Sequence, residues 1–248
     1  MKENLFDIIW LKETDSTQRY IIEKDCECNF WEYTVVAALN QTKGRGQGSN
    51  TWESEEGKNI SMSLLLKPVF IKPAEQFIIS QAVSLAIVDT LSCYIKTNDI
   101  FIKWPNDIYV RTNKISGFLV NNKIIGDTLD KSYIGIGINI NQKKFVFAPN
   151  PTSVILETGQ ITDLKEFILK LTDNIYNMYT VLKNNGSESI RKRYLRLLLF
   201  KGQLRKYVYN GLEVQAEIMS VNKFGHIIFR TSDGEVHESD MGKFKFII

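Results

Sequence analysis

Two short segments of this chain combine glycines, cations, an amide and a carboxylate at spacings that suit anion binding. The first is Gly44-Arg45-Gly46-Gln47, followed by Trp52, and the second is Lys103-Trp104-Pro105-Asn106-Asp107, followed by Lys114. Glycine loops expose backbone amides, and such amides and cationic side chains bind phosphate or carboxylate groups. A carboxylate such as Asp107 can hold a hydrated magnesium ion between phosphates. The two segments predict an anion site with a catalytic lysine, as nucleotide chemistry requires.

The standard nucleotide-binding fingerprints do not occur in this sequence. The loop of residues 44–49 ends in Ser49, where a dinucleotide-binding loop needs its third glycine. Gly57-Lys58 is followed by Asn59, so the phosphate-loop order of glycine, lysine and serine or threonine is also missing. Any nucleotide must therefore be bound by another architecture.

An ordered series of motifs resembles those of biotin protein ligases, the enzymes that make biotinyl-adenylate and transfer biotin to a carrier lysine. In chain order the motifs are Glu13-Thr14-Asp15-Ser16-Thr17-Gln18, Gln41-Thr42-Lys43-Gly44-Arg45-Gly46-Gln47, Trp52-Glu53-Ser54 with Asn59-Ile60-Ser61-Met62-Ser63, residues 103–107, Lys114-Ile115-Ser116-Gly117-Phe118-Leu119-Val120, and Gly135-Ile136-Gly137-Ile138-Asn139. Ordered motifs are far more specific together than singly. The resemblance implies an ATP-dependent, AMP-forming ligase whose partner is a biotin carboxyl carrier protein or domain.

The resemblance also implies a role for each candidate site residue. The residues expected to bind biotin are Ser16, Thr17, Gln18, Gln41, Gly44, Arg45, Gly46, Gln47, Lys114 and Gly117. Those expected to bind ATP are Arg45, Trp52, Lys103, Asn106, Lys114 and Asn139. Lys114 and Arg45 are the catalytic candidates, because a carboxylate attacking the α-phosphate needs positive charge more than it needs a base. Biotin and ATP are the expected substrates, with Mg²⁺ at Asp107.

The sequence departs from the family pattern in the glycine loop. Gln47 stands where some members carry a second arginine, and Gly48-Ser49 stands where an arbitrary residue and a glycine are more usual. The loop thereby has one cation fewer, which bears on how tightly the adenylate is held.

Each of these residues also has a plainer interpretation. Ser16 and Thr17 could cap a helix that starts near Gln18. Trp52 and Trp104 could be core residues, and Lys103 and Lys114 could be ordinary surface lysines.

Composition and charge favour a cytoplasmic protein that binds neither nucleic acid nor membranes. In 248 residues, 31 Lys and Arg against 28 Asp and Glu leave a net charge of +3, and Arg191-Lys192-Arg193 is interpreted as a solvated helix face. The N-terminus lacks a signal-peptide layout, and no apolar run reaches the length of a membrane span. Cys26, Cys28 and Cys93 are an odd number, with Cys26 and Cys28 expected in an exposed loop.

Apolar spacing predicts a catalytic domain in which helices and a sheet share one core. Residues 75–94 carry apolar side chains at helical spacing, whereas residues 60–66 alternate as a half-buried strand. A second helix is predicted from Asp163, a plausible cap, to about Leu182, and residues 184–187 break it.

After Phe200 the pattern changes to short apolar runs separated by the turn signals Asn210-Gly211, Phe224-Gly225 and Asp233-Gly234. We therefore predict a catalytic domain over residues 1–200 and a small β domain over 201–248. The resemblance implies an α+β fold, in which a mixed sheet packed with helices, as in the class II synthetase-like biotin/lipoate ligases, precedes an SH3-like barrel. Only a dozen residues precede Glu13, which leaves no room for the DNA-binding domain of some relatives; a homodimer is compatible with the resemblance.

Residues 133–140 predict how a strand could serve the site. Their isoleucines face one way, while Gly135, Gly137 and Asn139 face the other. Two glycines on one face indicate that something approaches the sheet closely. Asn139 could then contact an adenine edge; alternatively, a helix covers the glycines and Asn139 lies in a turn.

Two other functional classes are considered. A lipoate ligase or octanoyl transferase would need a long apolar tunnel in place of the polar Ser16, Thr17 and Gln41. A biotin-responsive regulator without turnover would need a DNA-binding element. His226 and His237 both fall in the C-terminal β region, so a Ser-His-Asp mechanism has no support.

Overall fold

The computed structural model describes residues 6–48 and 50–248, so Ser49 and residues 1–5 lie outside the described part. The strands are β1 (Asp7–Thr14), β2 (Thr34–Gln41), β3 (Ile60–Leu66), β4 (Ile100–Lys103), β5 (Asp107–Val110), β6 (Asn113–Ile125), β7 (Thr128–Ile138), β8 (Leu204–Tyr209), β9 (Leu212–Val221), β10 (Ile227–Thr231), β11 (Val236–Ser239) and β12 (Phe244–Phe246). The helices are α1 (Thr17–Cys28), α2 (Phe77–Leu91), α3 (Val154–Thr158), α4 (Leu164–Lys183) and α5 (Ser187–Arg196).

A seven-stranded mixed sheet forms the larger part of the molecule. Its strand order is β1-β2-β3-β7-β6-β5-β4, with β1 and β2 parallel and the other neighbours antiparallel. Helix α1 packs on strands β2, β3 and β7, and α2 packs on β4, β5, α4 and α5. This is the predicted mixed sheet packed with helices, and the α+β fold class is confirmed.

Strand β3 corrects one prediction. Residues 60–66 were expected to alternate as a half-buried strand, yet every residue of β3 is buried. The strand is central in the sheet, with α1 packed against it. Its apolar side chains lie in the main core, except Leu65, which packs in a second cluster with Ile21 of α1. On the other face of β3, Ser61 lines the cavity described below and the Ser63 hydroxyl lies 2.9 Å from that of Thr17 on α1.

The predicted helices are confirmed, with some boundaries shifted. Asp163 caps α4 by accepting the Glu166 amide at 2.9 Å, and α4 ends at Lys183. Helix α2 is shorter than the predicted 75–94, because a separate 3₁₀ turn precedes Phe77.

The basic triplet and the cysteine pair lie on helices. The triplet is part of α5, but it is a solvated face only in part: Lys192 is largely exposed, whereas Arg191 pairs with Glu75 and Arg193 pairs with Asp89 on α2. Cys26 and Cys28 are exposed as expected, but the loop assignment is wrong. Helix α1 continues through Cys28 and is closed by Asn29 at φ 47°.

The C-terminal strands form a five-stranded antiparallel sheet in the order β11-β10-β9-β8-β12, as expected for an SH3-like domain. All three predicted turns connect consecutive strands of this sheet. The predicted domain boundary at 200/201 lies between the end of α5 and the start of β8.

The C-terminal sheet is docked on the part of the molecule that contains the seven-stranded sheet, through Trp104. The Trp104 Nε1–H donates to the Gly225 carbonyl at 2.9 Å, and its ring meets Phe244 edge-on at 6.5 Å between centroids. Gly225, at φ +90°, lies against Phe77, where a Cβ would come within 2.6 Å of the ring. Within residues 6–48 and 50–248, no helix combines the length and apolarity needed to cross a lipid bilayer.

Candidate active site

One cavity of about 780 Å³ brings together nearly all the predicted site residues. It is lined by Ser16, Thr17, Gln18, Gln41, Arg45, Gly46, Gln47, Trp52, Lys103, Asn106, Asp107, Lys114, Gly117 and Asn139. Gly44 is the exception, because it is buried behind the lining. A Cβ on Gly44 would lie 2.6 Å from the Trp52 carbonyl oxygen, so this glycine serves the close approach of two backbone segments.

The end of the cavity near α1 is neutral and rich in hydrogen-bonding groups. The Thr17 amide and hydroxyl both donate to Gln41 Oε1, at 3.0 and 3.2 Å, and the same hydroxyl lies 2.9 Å from Ser63 Oγ. Ser16 caps α1 by accepting the Arg19 amide at 3.4 Å. The N-terminus of α1 therefore has two roles: Ser16 caps the helix, and Ser16 and Thr17 both line the cavity.

Gln18 covers the first of the two strand glycines. Its Nε2 donates to the carbonyls of Leu119 and Tyr133, at 3.0 and 2.9 Å, and therefore bridges β6 and β7. A Cβ on Gly135 would lie 3.3 Å from the Gln18 side chain. With its amide hydrogens committed to the sheet, Gln18 can offer a ligand only its carbonyl oxygen.

The opposite end of the cavity is cationic. Asp107 lies between two lysines, with Lys114 Nζ at 2.6 Å from Oδ1 and Lys103 Nζ at 3.6 Å from Oδ2. Burial lowers the pKa of Lys103, an effect that Asp107 opposes and the neighbouring Lys114 strengthens. Two ammonium groups that share one carboxylate leave a net positive charge that an anionic ligand can neutralise. Arg45 adds a third cation from an exposed position on the glycine loop.

Trp52 covers the second strand glycine. A Cβ on Gly137 would lie 2.5 Å from Trp52 Cε2, so the indole lies directly on the strand. Lys114 Nζ is 5.7 Å from the centroid of this ring, within the range of a cation–π contact. The predicted close approach to the glycine face is thus confirmed, since Gly135 is covered by a helix residue and Gly137 by Trp52. Contact of Asn139 with an adenine edge stays a prediction.

Asn139 lies just beyond the end of β7, and its amide has a defined orientation. Its Nδ2 donates to the Thr152 carbonyl at 3.0 Å, whereas its Oδ1 is buried with no partner among the described residues. An unpaired buried acceptor is costly, which indicates a ligand donor at this position.

Asn106 has its donor engaged. Asn106 Nδ2 donates to the Phe118 carbonyl at 2.6 Å, and the Phe118 amide donates back to the Asn106 carbonyl at 3.1 Å. This bond leaves the side-chain oxygen, an acceptor that a ligand or a metal can use, and one amide hydrogen.

The donor set near Asp107 fits only a metal that arrives with its own ligands. Among the described residues, no group of three or more His, Cys, Asp or Glu side chains is placed to hold an ion. Magnesium commonly keeps several waters and takes one or two carboxylates together with substrate phosphates. Asp107 can supply one such carboxylate.

Two parts of the cavity wall were missed by the sequence analysis. The C-terminal sheet contributes Met241, Phe244, Lys245 and Phe246, and the segment of residues 145–149 contributes Phe145, Phe147, Ala148 and Pro149. Lys103 Nζ lies 5.3 Å from the Phe246 ring centroid, which couples the cationic end to the C-terminal sheet. Neither part carries a local motif, because their place depends on how the two sheets dock.

Comparison with known proteins agrees with this geometry. Residues 10–139 match the biotin/lipoate A/B protein ligase family. The bifunctional ligase/repressor BirA of Bacillus subtilis (strain 168) is 38% identical over 218 residues, covering 85% of this chain and 66% of BirA. Biotin–protein ligase 2 of Arabidopsis thaliana is 30% identical over 208 residues, covering 79% of this chain and 60% of that protein. The chain thus spans less than two thirds of the length of these curated relatives.

A solved structure extends the likeness to nearly the whole chain. The biotin protein ligase from Aquifex aeolicus in complex with biotin and ATP superposes with a TM-score of 0.77 at 28% identity. The match covers 96% of this chain and 97% of that one, so both sheets have counterparts in it.

Proposed function

Because this chain belongs to the biotin/lipoate A/B protein ligase family, we propose that it is a biotin protein ligase. It joins biotin to ATP as biotinyl-5'-AMP with release of pyrophosphate, and then passes the biotinyl group to one lysine of a biotin carboxyl carrier protein or domain. The Aquifex aeolicus relative, described as in complex with biotin and ATP, supports this choice of ligands.

The observation that carries the proposal is the division of one cavity into a neutral end and a cationic end. Thr17 and Gln41 supply uncharged donors and acceptors, which match the N–H and C=O groups of the biotin ureido ring. Lys103, Lys114 and Arg45 supply the charge that a carboxylate and a triphosphate require. With biotin and ATP placed end to end, the ureido ring meets the neutral end, and the biotin carboxylate and the triphosphate meet the cationic end.

In the first half-reaction, a carboxylate oxygen of biotin attacks the α-phosphorus of ATP. A new P–O bond forms, and the bond from the α-phosphorus to the diphosphate oxygen breaks with its electron pair leaving on pyrophosphate. Since both reactants are anions, repulsion opposes their approach, and preorganised cations lower the barrier. Lys114 and Arg45 are placed to stabilise the charge that develops on the α-phosphate.

Asp107 holds the two lysines in position before ATP binds. It lies within ion-pair distance of both ammonium groups, and an incoming phosphate would compete with it for them. A magnesium ion bound with ATP would be held by Asp107 and the side-chain oxygen of Asn106, and it would neutralise charge on the phosphates. Asp107 therefore has two partners in the proposed reaction, the lysines and the metal.

Nucleobase binding is assigned to Asn139 and Trp52. The free Oδ1 of Asn139 can accept a hydrogen bond from the 6-amino group of adenine. The indole of Trp52, flat on Gly137, offers an apolar surface beside it.

The second half-reaction needs the carrier lysine as a free amine. Its nitrogen attacks the acyl carbon of the mixed anhydride, the C–N bond forms, the C–O bond to AMP breaks, and the amine proton passes to solvent. The main task of the protein is to keep water away from the anhydride until the lysine arrives.

Incubation with biotin, radiolabelled ATP and a carrier domain tests the proposal. We expect biotin-dependent pyrophosphate release, and transfer of biotin to one carrier lysine. A parallel reaction with lipoate distinguishes the related acyl-transfer enzymes. Pyrophosphate release that requires lipoate and ignores biotin would overturn the assignment.

A further inference from the structure

Glu53 makes an arrangement of hydrogen bonds that the proposed reaction does not use. Its carboxylate accepts three consecutive backbone amides, from Val146 at 2.7 Å, Phe147 at 3.0 Å and Ala148 at 3.0 Å. Burial alone would raise the pKa of Glu53, but the three N–H donors outweigh it and lower the pKa below its ordinary value of 4.5. The group is therefore an anion at neutral pH.

These bonds join two parts of the cavity wall that are distant in sequence. Glu53 directly follows Trp52, while the amides belong to residues 145–149, which we name the covering segment. A second link lies close by, where the Glu55 amide donates to Gln142 Oε1 at 3.0 Å. The covering segment is thus tied to the part of the chain that carries Trp52.

Side-chain packing does little to hold Val146 and Phe147, the middle of the covering segment. Val146 is 90% exposed and Phe147 is 60% exposed, so neither is anchored in a core. The segment returns to the sheet only at residues 150–152, where the Lys114 amide donates to the Asn150 carbonyl at 2.7 Å. Between the anchor at Gln142, which accepts the Glu55 amide, and the anchor at Asn150, the carboxylate of Glu53 is the main restraint on the covering segment.

We propose that Glu53 is a latch, a positioning residue that holds the covering segment over the nucleotide end of the cavity before any ligand binds. Opening of this latch is then the route by which the activated intermediate escapes. This inference rests on the proposed function for the identity of the intermediate, but the latch itself is a property of the ligand-free protein. Because Gln47 supplies no charge to the glycine loop, retention of the adenylate depends more strongly on the hydrogen bonds of the Glu53 latch.

The latch predicts a separation between making the intermediate and keeping it. Glu53→Ala removes all three acceptor contacts, and Glu53→Gln keeps one acceptor oxygen while removing the charge. Charge-assisted bonds are roughly twice as strong as neutral ones, so the glutamine variant should lie between wild type and alanine. We expect preformed biotinyl-adenylate to dissociate about tenfold faster from Glu53→Ala, with a smaller change in the single-turnover rate of its formation.

Hydrogen exchange provides the arm of the experiment that needs no ligand. In the unliganded protein, the amides of residues 146–148 should exchange faster in Glu53→Gln and faster still in Glu53→Ala. Glu56→Ala, a change at an exposed neighbour, is the matched control and should leave the exchange of these amides unchanged. If exchange at residues 146–148 were unchanged in both Glu53 variants, the latch would be overturned, whatever the result of the adenylate measurements.

The two arms separate this inference from the proposed function. If wild-type protein formed no adenylate, the proposed function would fail, while the exchange arm would still decide whether Glu53 holds the segment. If exchange rose but adenylate release stayed at the wild-type rate, the latch would not control escape and the inference would be wrong. Equal melting temperatures of wild type and Glu53→Gln ensure that the comparison reports on the segment.

Discussion

The indole of Trp52 lies on the bare backbone of Gly137, so closely that a Cβ at residue 137 would come within 2.5 Å of Cε2. This contact fixes the floor of the end of the cavity that we propose binds the nucleotide, because Lys114 lies over the same ring and Asn139 follows two residues later along the chain. The position of the Trp52 indole therefore requires a glycine at residue 137.

Replacing Gly137 should damage the site more than the fold. In Gly137→Ala the added methyl group displaces the indole, at a cost of about 1–3 kcal/mol typical of overpacking. We expect ATP affinity to fall at least tenfold, measured by calorimetric titration. Gly242→Ala is the matched control, since a Cβ there meets only Asp240 Oδ1 at 3.5 Å. ATP binding that is unchanged in Gly137→Ala would separate Trp52 from the nucleotide.

Lys114 should matter more in the transition state than in the bound complex. Lys114→Met keeps the aliphatic stem and removes the charge, so we expect adenylate formation to slow by about 10²-fold with a smaller change in ATP affinity. Single-turnover kinetics and equilibrium binding provide the two measurements. Lys192→Met, on a lysine whose side chain is 75% exposed, is the control. Equal turnover in Lys114→Met and wild type would make Lys114 an ordinary surface lysine.

The orientation of Asn139 predicts which purine is accepted. Because the bond from Nδ2 to the Thr152 carbonyl orients the amide and its Oδ1 is buried and unpaired among the described residues, an acceptor awaits a donor, which favours the 6-amino group of ATP over the 6-oxo group of ITP. We expect kcat/KM for ATP to exceed that for ITP by roughly 10- to 100-fold, the range of about 1–3 kcal/mol for an unpaired buried acceptor. Asn139→Ala should reduce this ratio. Equal use of the two nucleotides by wild type would contradict the assignment.

The glycine loop should respond to both ligands. Its backbone is already closed by a bond from the Gly46 amide to the Asn50 carbonyl at 2.8 Å, while its side chains Arg45 and Gln47 remain exposed. We expect hydrogen exchange over residues 43–50 to slow when biotin and nucleotide bind. Arg45→Ala should weaken binding and leave the loop mobile, and Gln47→Arg should slow escape of the adenylate. Identical exchange with and without ligands would mean that the loop is preformed.

A buried carboxylate at the other end of α1 predicts an acid-sensitive stability. Asp25 accepts the Tyr133 hydroxyl at 2.6 Å and lies 2.7 Å from Lys131 Nζ. Burial raises the pKa of Asp25, but the hydrogen-bond donors Lys131, Tyr133 and Phe30 together lower it by more. The pKa in the folded protein is therefore below the ordinary 3.8. A depressed carboxyl pKa contributes stability that is present above the unfolded value and is lost as pH falls through the folded value.

The variant Asp25→Asn isolates this contribution. We expect it to unfold at a lower temperature than wild type at pH 7, and the difference to narrow as the pH is lowered below about 4. Thermal unfolding followed by circular dichroism at several pH values measures it. A difference that is constant with pH would show that the charge of Asp25 contributes nothing to stability.

Local patterns in the sequence predicted much of this protein. The caps Ser16 and Asp163, the turns at Asn210-Gly211 and Asp233-Gly234, and the alternating face around Gly135 depend on residues within a few positions of one another. Such features follow from helix and strand periods, which are set by backbone geometry. Nearly all the site residues that the ordered motifs identified also line the cavity, although the motifs did not identify the rest of its wall.

Only the tertiary structure decided the rest, since it depends on which distant segments meet. The burial of both faces of β3 requires α1 to pack on the sheet, and the place of Lys245 requires the C-terminal sheet to dock through Trp104. The direction of the Asn139 amide is set by a carbonyl from a returning loop, and the partners of Glu53 lie on that same loop. Backbone amides and carbonyls carry no sequence identity, so hydrogen bonds to them leave no motif, although they determine what this cavity can bind and hold.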